Sequence, residues 1–203
     1  MATPQQAPKP TLQLERWIAA GFLRLGAEGL DAVRVEVLAR DLGVSKGSFY
    51  WHFQDREDLL AKLLSRWESN ETEWLRESAA DREAAATRWA RFVRRCSDPE
   101  RTPIEAAIRA WARRDTRVAT MVSAVEKEMA RFIAAVLREI GFTDRTAESW
   151  SALALLVYLG WLDRATRDGE FARNDRSLGE FLSELILAAS ARSSSFDPGS
   201  KFE

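Results

Sequence analysis

The chain has one histidine, one cysteine and no long apolar run, and each scarcity removes a class of function. A single thiol, Cys96, cannot close an intrachain disulfide, which fits a reducing cytoplasm. Cys96 reads as a half-buried small hydrophobe, with a redox sensor as the alternative. One His and one Cys leave little for a zinc site or for a nucleophile–base pair. No paired-carboxylate, Ser/His/Asp or metal-ligand constellation stands out, so the expectation is a protein that is not an enzyme and uses no metal or cofactor. The longest apolar stretch, Ala152–Leu162, falls well short of the ~18 residues of a membrane span. No signal pattern opens the chain, and a soluble cytoplasmic protein without a membrane partner is expected. Gly and Pro are few and no strand-like alternation is evident, which points to an all-α fold.

Charge of either sign is also lacking in excess. The net charge is −1, and residues 1–64 carry eight Lys/Arg against eight Asp/Glu. Any electrostatic footprint for nucleic acid must therefore be local: Arg34, Lys46 and Arg56, with Lys9 and Arg16 beside them.

What is present is concentrated in Leu42–Phe53, which reads as the turn and second helix of a helix-turn-helix. Leu38 and Ala39 end the apolar face of a short preceding helix. Gly43 stands where the chain must turn and tolerates positive φ. Ser45 is a good N-cap. Phe49 and Phe53, at i and i+4, face inward. Lys46, Gly47, Ser48, Tyr50, Trp51 and His52 share the outer face, and no acid interrupts them. A helix of donors without acids suits a phosphate-lined major groove.

Helical spacing organises the rest. Residues 1–10 (MATPQQAPKP) read as a disordered arm. A first helix starts after Thr11, carries Leu14, Trp17, Ile18, Phe22 and Leu25, and ends near Gly29. Further helices are expected over 34–41, 45–53, about 55–78, 81–97, 103–114, 117–140, 146–167 and 178–191, and residues 193–203 read as a disordered tail. The domains are then a helix-turn-helix unit at 11–56 and a helical unit at 57–192. The eighth helix is apolar all round and should be buried on every side. The ninth carries Phe181, Leu182, Leu185, Ile186 and Leu187. Leu156 and Leu159 with Phe181, Leu185 and Ile186 would form a four-helix bundle with a second copy, making a homodimer; a wholly intrachain core is the alternative.

Residues 17–60 resemble the N-terminal domain of TetR-family transcriptional regulators. The resemblance rests on Gly29, Leu38-Ala39, Gly43-Val44-Ser45, Gly47 through Phe53, and Arg56 with Leu59-Leu60. It implies an all-α fold of nine to ten helices, with helices one to three on double-stranded DNA and the C-terminal helices forming an effector pocket and dimer interface. It implies a repressor released from a palindromic operator by a small molecule, here hydrophobic or aromatic and of unidentified structure. The family pattern usually has Lys where Arg56 stands, and often a hydroxyl residue where Arg34 stands. A binding or scaffold protein on the same fold, without specific DNA binding, is the alternative.

On that resemblance, Tyr50 and His52 meet the DNA backbone, and Lys46 a phosphate or guanine edge. Trp51 presses on sugar or a thymine methyl. Gly47 allows close approach, Ser45 and Ser48 donate to phosphates, and Arg34 and Arg56 reach phosphates. Partial packing is the other reading of Tyr50. Trp67, Phe92, Val125, Trp150 and Leu153 are the pocket candidates, though the tryptophans beyond Trp17 could equally fill the core. Arg109 and Trp111, on a short helix, either touch the DNA-binding unit and carry motion to it or form a salt bridge and a packing contact.

Overall fold

The computed structural model describes residues 10–168, 171 and 182–184. Eight α-helices run Pro10–Glu28 (α1), Val35–Leu42 (α2), Lys46–Tyr50 (α3), Arg56–Ala80 (α4), Ala85–Cys96 (α5), Thr102–Ala112 (α6), Thr116–Ile140 (α7) and Asp144–Arg167 (α8). A 3-10 turn, Leu30–Ala32, links α1 to α2. No strand occurs among the described residues. Residues 1–9 of the expected arm, Phe181, Leu185 and Ile186 of the ninth helix, and the tail 193–203 lie outside them. Pro10 belongs to α1 rather than to the arm, as a proline tolerated in a first helical turn. Residues 182–184 are helical, and Trp89 Nε1 donates to Ser183 Oγ at 3.2 Å.

The first three helices close around an aromatic core. Trp17 meets Phe49 edge-on at 5.3 Å and Phe53 at 6.5 Å, and the two phenylalanines stack at 4.9 Å. Each buried ring contributes about 1.5–3 kcal/mol. The turn after α2 needs Gly43, whose φ is +65°. Val44 N–H then returns to the Ala39 carbonyl at 3.0 Å, satisfying the end of α2.

α4 spans ~37 Å at 1.5 Å per residue and belongs to both halves of the molecule. Asp55 caps it by accepting the Asp58 N–H at 2.8 Å. Leu59, Leu60 and Leu63 are buried beside α1, and Trp67, Glu71 and Leu75 run on into the C-terminal core. α7 is the hub of that core and packs on α4, α5, α6 and α8. α6 also packs on α1. Gly26 permits this closeness: a Cβ there would lie 3.1 Å from Ile104 Cγ1 and 3.3 Å from the Ile104 nitrogen.

Several helix boundaries differ from expectation, most by one or two residues. α3 stops at Tyr50, and residues 51–53 turn toward α4. α5 starts at Ala85 rather than Asp81, because Asp81 accepts the Glu83 N–H at 3.1 Å and pairs with Arg91 at 2.9 Å, holding a turn outside the helix. α8 starts two residues early, with Thr143 as its cap. α8 is also not buried on every side: Leu153 and Leu156 are 42% and 66% exposed, while Ala154, Tyr158 and Leu162 point inward.

Candidate nucleic-acid interface

The surface built by α2, α3 and the turn into α4 is aromatic and donor-rich. Trp51 is 87% exposed and Tyr50 63%, while Phe49 between the helices is fully buried. Tyr50 leans edge-on against Phe49 at 5.3 Å, so its ring is steadied although its outer face is free. Exposing two large rings is unfavourable in water, and a partner surface relieves that cost.

His52 sits half-buried, its Nε2 3.5 Å from Gln13 Oε1 on α1. Its carbonyl accepts from Lys62 Nζ at 3.0 Å, and Lys62 also pairs with Asp58 and lies over the Phe53 ring at 4.9 Å. Arg16 Nη2 donates to the Leu42 carbonyl at 3.3 Å. These three supports, Gln13, Lys62 and Arg16, were not singled out as such from the sequence. All three lie within the helical register of α1 and α4, but their targets, including two backbone carbonyls, leave no mark in the sequence.

Ser45 has the extended backbone of an N-cap but makes no side-chain cap bond. Its hydroxyl lies beside Gly47, 3.6 Å from where a Cβ would be. Ser48 is half-buried and its N–H bonds the Ser45 carbonyl at 3.0 Å. Lys46 reaches back to Glu36 on α2, Nζ to Oε1 at 2.8 Å, with both side chains more than half exposed. Such a pair is weak and readily exchanged for a phosphate. Arg34 is exposed and flanks α2 without a side-chain cap bond.

Arg56 differs from its expected role. Its Nε donates to the Val33 carbonyl at 2.6 Å, Nη2 to the Leu30 carbonyl at 2.9 Å and Nη1 to Glu57 at 3.0 Å. The guanidinium fork is spent inside the protein, bracing the start of α4 against the turn before α2, and is not held out as a phosphate donor.

The five pocket candidates do not converge on one cavity. Trp67 is buried with its indole N–H on Glu105. Val125 is 1% exposed within the α7 core. Trp150 is half-buried edge-on to Phe142 at 6.3 Å. Leu153 faces outward beside Leu156, one helical turn away. Only Phe92 lines internal space: with Cys96, Met129 and Tyr158 it borders two voids of about 10 Å³ each. Of the dimer candidates, Leu156 is exposed, whereas Leu159 turns toward α6.

Next to those voids lies a buried ionic cluster that the sequence reading missed. Glu71 Oε1 accepts from Arg95 at 2.9 Å and from Arg101 at 2.6 Å. Glu105 accepts from Trp67 at 2.8 Å, Arg101 at 3.1 Å and Arg109 at 2.5 Å. Arg109 also lies 3.4 Å from Glu126 and 5.6 Å from the Tyr158 ring centre. Burial, with Glu105 adding, pushes the Tyr158 hydroxyl well above its ordinary value. Burial likewise pushes the Cys96 thiol up, so it stays protonated and the redox alternative loses its thiolate. The missed signal was Glu71, four residues from both Trp67 and Leu75 on an otherwise apolar face.

Residues 18–63 match the family described as bacterial regulatory proteins, tetR family. Over 63 residues the chain is 35% identical to the HTH-type transcriptional repressor DrrR1 of Streptomyces coeruleorubidus, a match spanning 31% of this chain and 23% of that repressor. The fold is similar to a TetR-family transcriptional regulator from Streptomyces coelicolor, with TM-score 0.68, 15% identity and coverage of 93% and 98% of the two chains. It is also similar to a TetR transcription regulator from Haloarcula marismortui, with TM-score 0.66, 17% identity and coverage of 92% and 98%. The likeness to the tetR family in sequence is thus confined to the N-terminal helix-turn-helix, residues 18–63, while the likeness to solved regulators extends to the fold of most of the chain.

Proposed function

We propose that the chain is a repressor that binds a palindromic operator as a homodimer and leaves it when a small hydrophobic or aromatic molecule binds the C-terminal helices. The DNA-binding unit is 11–56 and the effector and dimer unit is 57–192. The observation that carries the reading is Trp51, 87% exposed at the end of a recognition helix whose other face is fully buried. Lys46, Ser45, Ser48, Gly47, Tyr50 and His52 surround it, and Arg34 extends the donor surface toward the flanking backbone. Leu153 and Leu156 give α8 an outward apolar face, which supports the pairing of two copies. Two recognition helices then sit ~34–36 Å apart, one helical turn of DNA. Catalysis has no place in this reading, and the protein works in the cytoplasm, where its DNA is. Selection of random duplexes by the purified protein, followed by sequencing, tests it. A palindromic enriched site is expected; recovery of no enriched sequence at low salt, from folded protein, would overturn the reading.

A further inference from the structure

A groove of about 730 Å³ lies where α1, α6 and α8 meet. Its volume is that of a small-molecule site. Ala106, Ala107 and Ala110 of α6 line it with Leu25 and Gly26 of α1, and Leu162 comes from α8. The charged residues lining it are three arginines, Arg109, Arg113 and Arg167, and one acid, Asp163. Asp163 is taken by Arg167 at 2.5 Å. The side chain of Arg113 is exposed and makes no hydrogen bond or ion pair among the described residues. Arg109, four residues before it, underlies the groove wall: Nη1 pairs with Glu105, Nε lies 3.4 Å from Glu126, and the buried Nη2 has no hydrogen-bond partner. Buried donors of that kind are uncommon and call for an acceptor.

From this juxtaposition we propose that the groove binds an amphiphilic organic anion, a medium-chain carboxylate in chemical class. Its carboxylate lies against Arg113, with Arg109 beneath it in the groove wall, and its apolar chain runs over the alanine face of α6 to Leu25 and Gly26. The inference rests on the effector-controlled reading above and gives that effector a chemistry and a place. The consequence follows from the lining. A molecule in this groove touches the C-terminal helices and α1 together, and α1 carries Trp17, on which Phe49 and Phe53 of the recognition unit rest. Occupancy therefore favours one setting of α1 against α6, and a ligand that binds one setting better shifts the population toward it.

Decanoate is the probe, with decanol as its uncharged counterpart, each titrated into the full chain by calorimetry. Decanoate should bind about tenfold or more tightly than decanol, as a charge-assisted hydrogen bond supplies. Arg113→Glu, a change at an exposed side chain, should remove that preference, and Ala110→Trp should block both probes by filling the groove. Equal affinity for the two probes, undetectable decanoate binding, or decanoate affinity unchanged by Arg113→Glu would overturn the inference. Operator affinity is measured separately in the same samples. If decanoate binds as expected and operator affinity stays constant, the groove stands as a site and the effector-release reading fails. If decanoate does not bind and the operator does, the groove inference fails alone.

Discussion

The indole N–H of Trp67 on α4 donates to Glu105 Oε1 on α6 at 2.8 Å, inside the core. α4 is also the helix that Arg56 braces to the recognition unit, and α6 is the helix that packs on α1. One buried hydrogen bond thus joins the two elements through which the C-terminal helices reach the DNA-binding unit.

Removing either partner should have unequal consequences. Trp67→Phe keeps most of the ring but leaves Glu105 with Arg101 and Arg109 still donating, and should cost about 1 kcal/mol. Glu105→Leu strips both arginines and the indole of an acceptor, and breaking a buried ionic group typically costs 3–5 kcal/mol. Urea unfolding of the two variants checks this. Equal, small losses would mean that Glu105 does not organise the cluster.

Acid should loosen a different joint. Glu15 on α1 accepts both Arg66 Nη1 at 2.6 Å and Nη2 at 2.8 Å from α4. The Arg66 hydrogen bonds hold the Glu15 carboxyl below its ordinary value of 4.5, against the opposing effect of burial. A carboxyl depressed in the folded state stabilises above its unfolded pKa, and the stability is lost as pH falls through the folded value. Wild type should therefore be more stable than Glu15→Gln at neutral pH, with the gap closing only below about pH 4.5. Both side chains are well exposed, so the gap should be small and should shrink in high salt. Thermal melts across pH check the sign; a gap that widens in acid would contradict it.

Much of this was legible in the sequence, for identifiable reasons. Phe49 and Phe53 at helical spacing, Gly43 at the turn and Asp55 before an acidic first turn each encode a local rule, and α2, α3 and α4 follow them. The exposure of Trp51 was legible because its neighbours fill the inward positions. What failed was long-range. Arg56 looked like a phosphate donor, but its partners are carbonyls 23 and 26 residues away, and a carbonyl has no sequence identity. Leu153 sits on an apolar run whose period does not say which neighbour lies on which side, and the inward spacing of Trp67 does not say whether it meets a cavity or a carboxylate. The ionic cluster joins residues of α4, α5 and α6, and its pairing depends on the packing angle of three helices.

Gly43 offers a clean backbone test. Its φ is +65°, and a Cβ added there would meet nothing within 4 Å. The whole cost of Gly43→Ala is then conformational, about 1–2 kcal/mol for a left-handed residue with a side chain. The melting temperature should fall by that equivalent while the aromatic core of Trp17, Phe49 and Phe53 stays intact. An unchanged melting temperature would show that the turn relaxes out of the left-handed region.

Trp51 and Phe49 are two residues apart and should separate function from folding. Trp51 is 87% exposed and Phe49 is 0% exposed. Trp51→Ala removes a side chain that touches little of its own protein, so stability should stay within about 0.5 kcal/mol. Specific operator binding should be lost, because the ring is the largest element of the proposed contact surface. Phe49→Ala instead empties the centre of the aromatic core and should cost about 3–5 kcal/mol. Its loss of binding would follow from unfolding and would be partly recovered by stabilising conditions. Band-shift titrations beside circular dichroism distinguish the two. If Trp51→Ala binds the selected duplex as wild type does, the recognition surface lies elsewhere on the first three helices, since an exposed ring that contributes nothing to folding would then contribute nothing to recognition either.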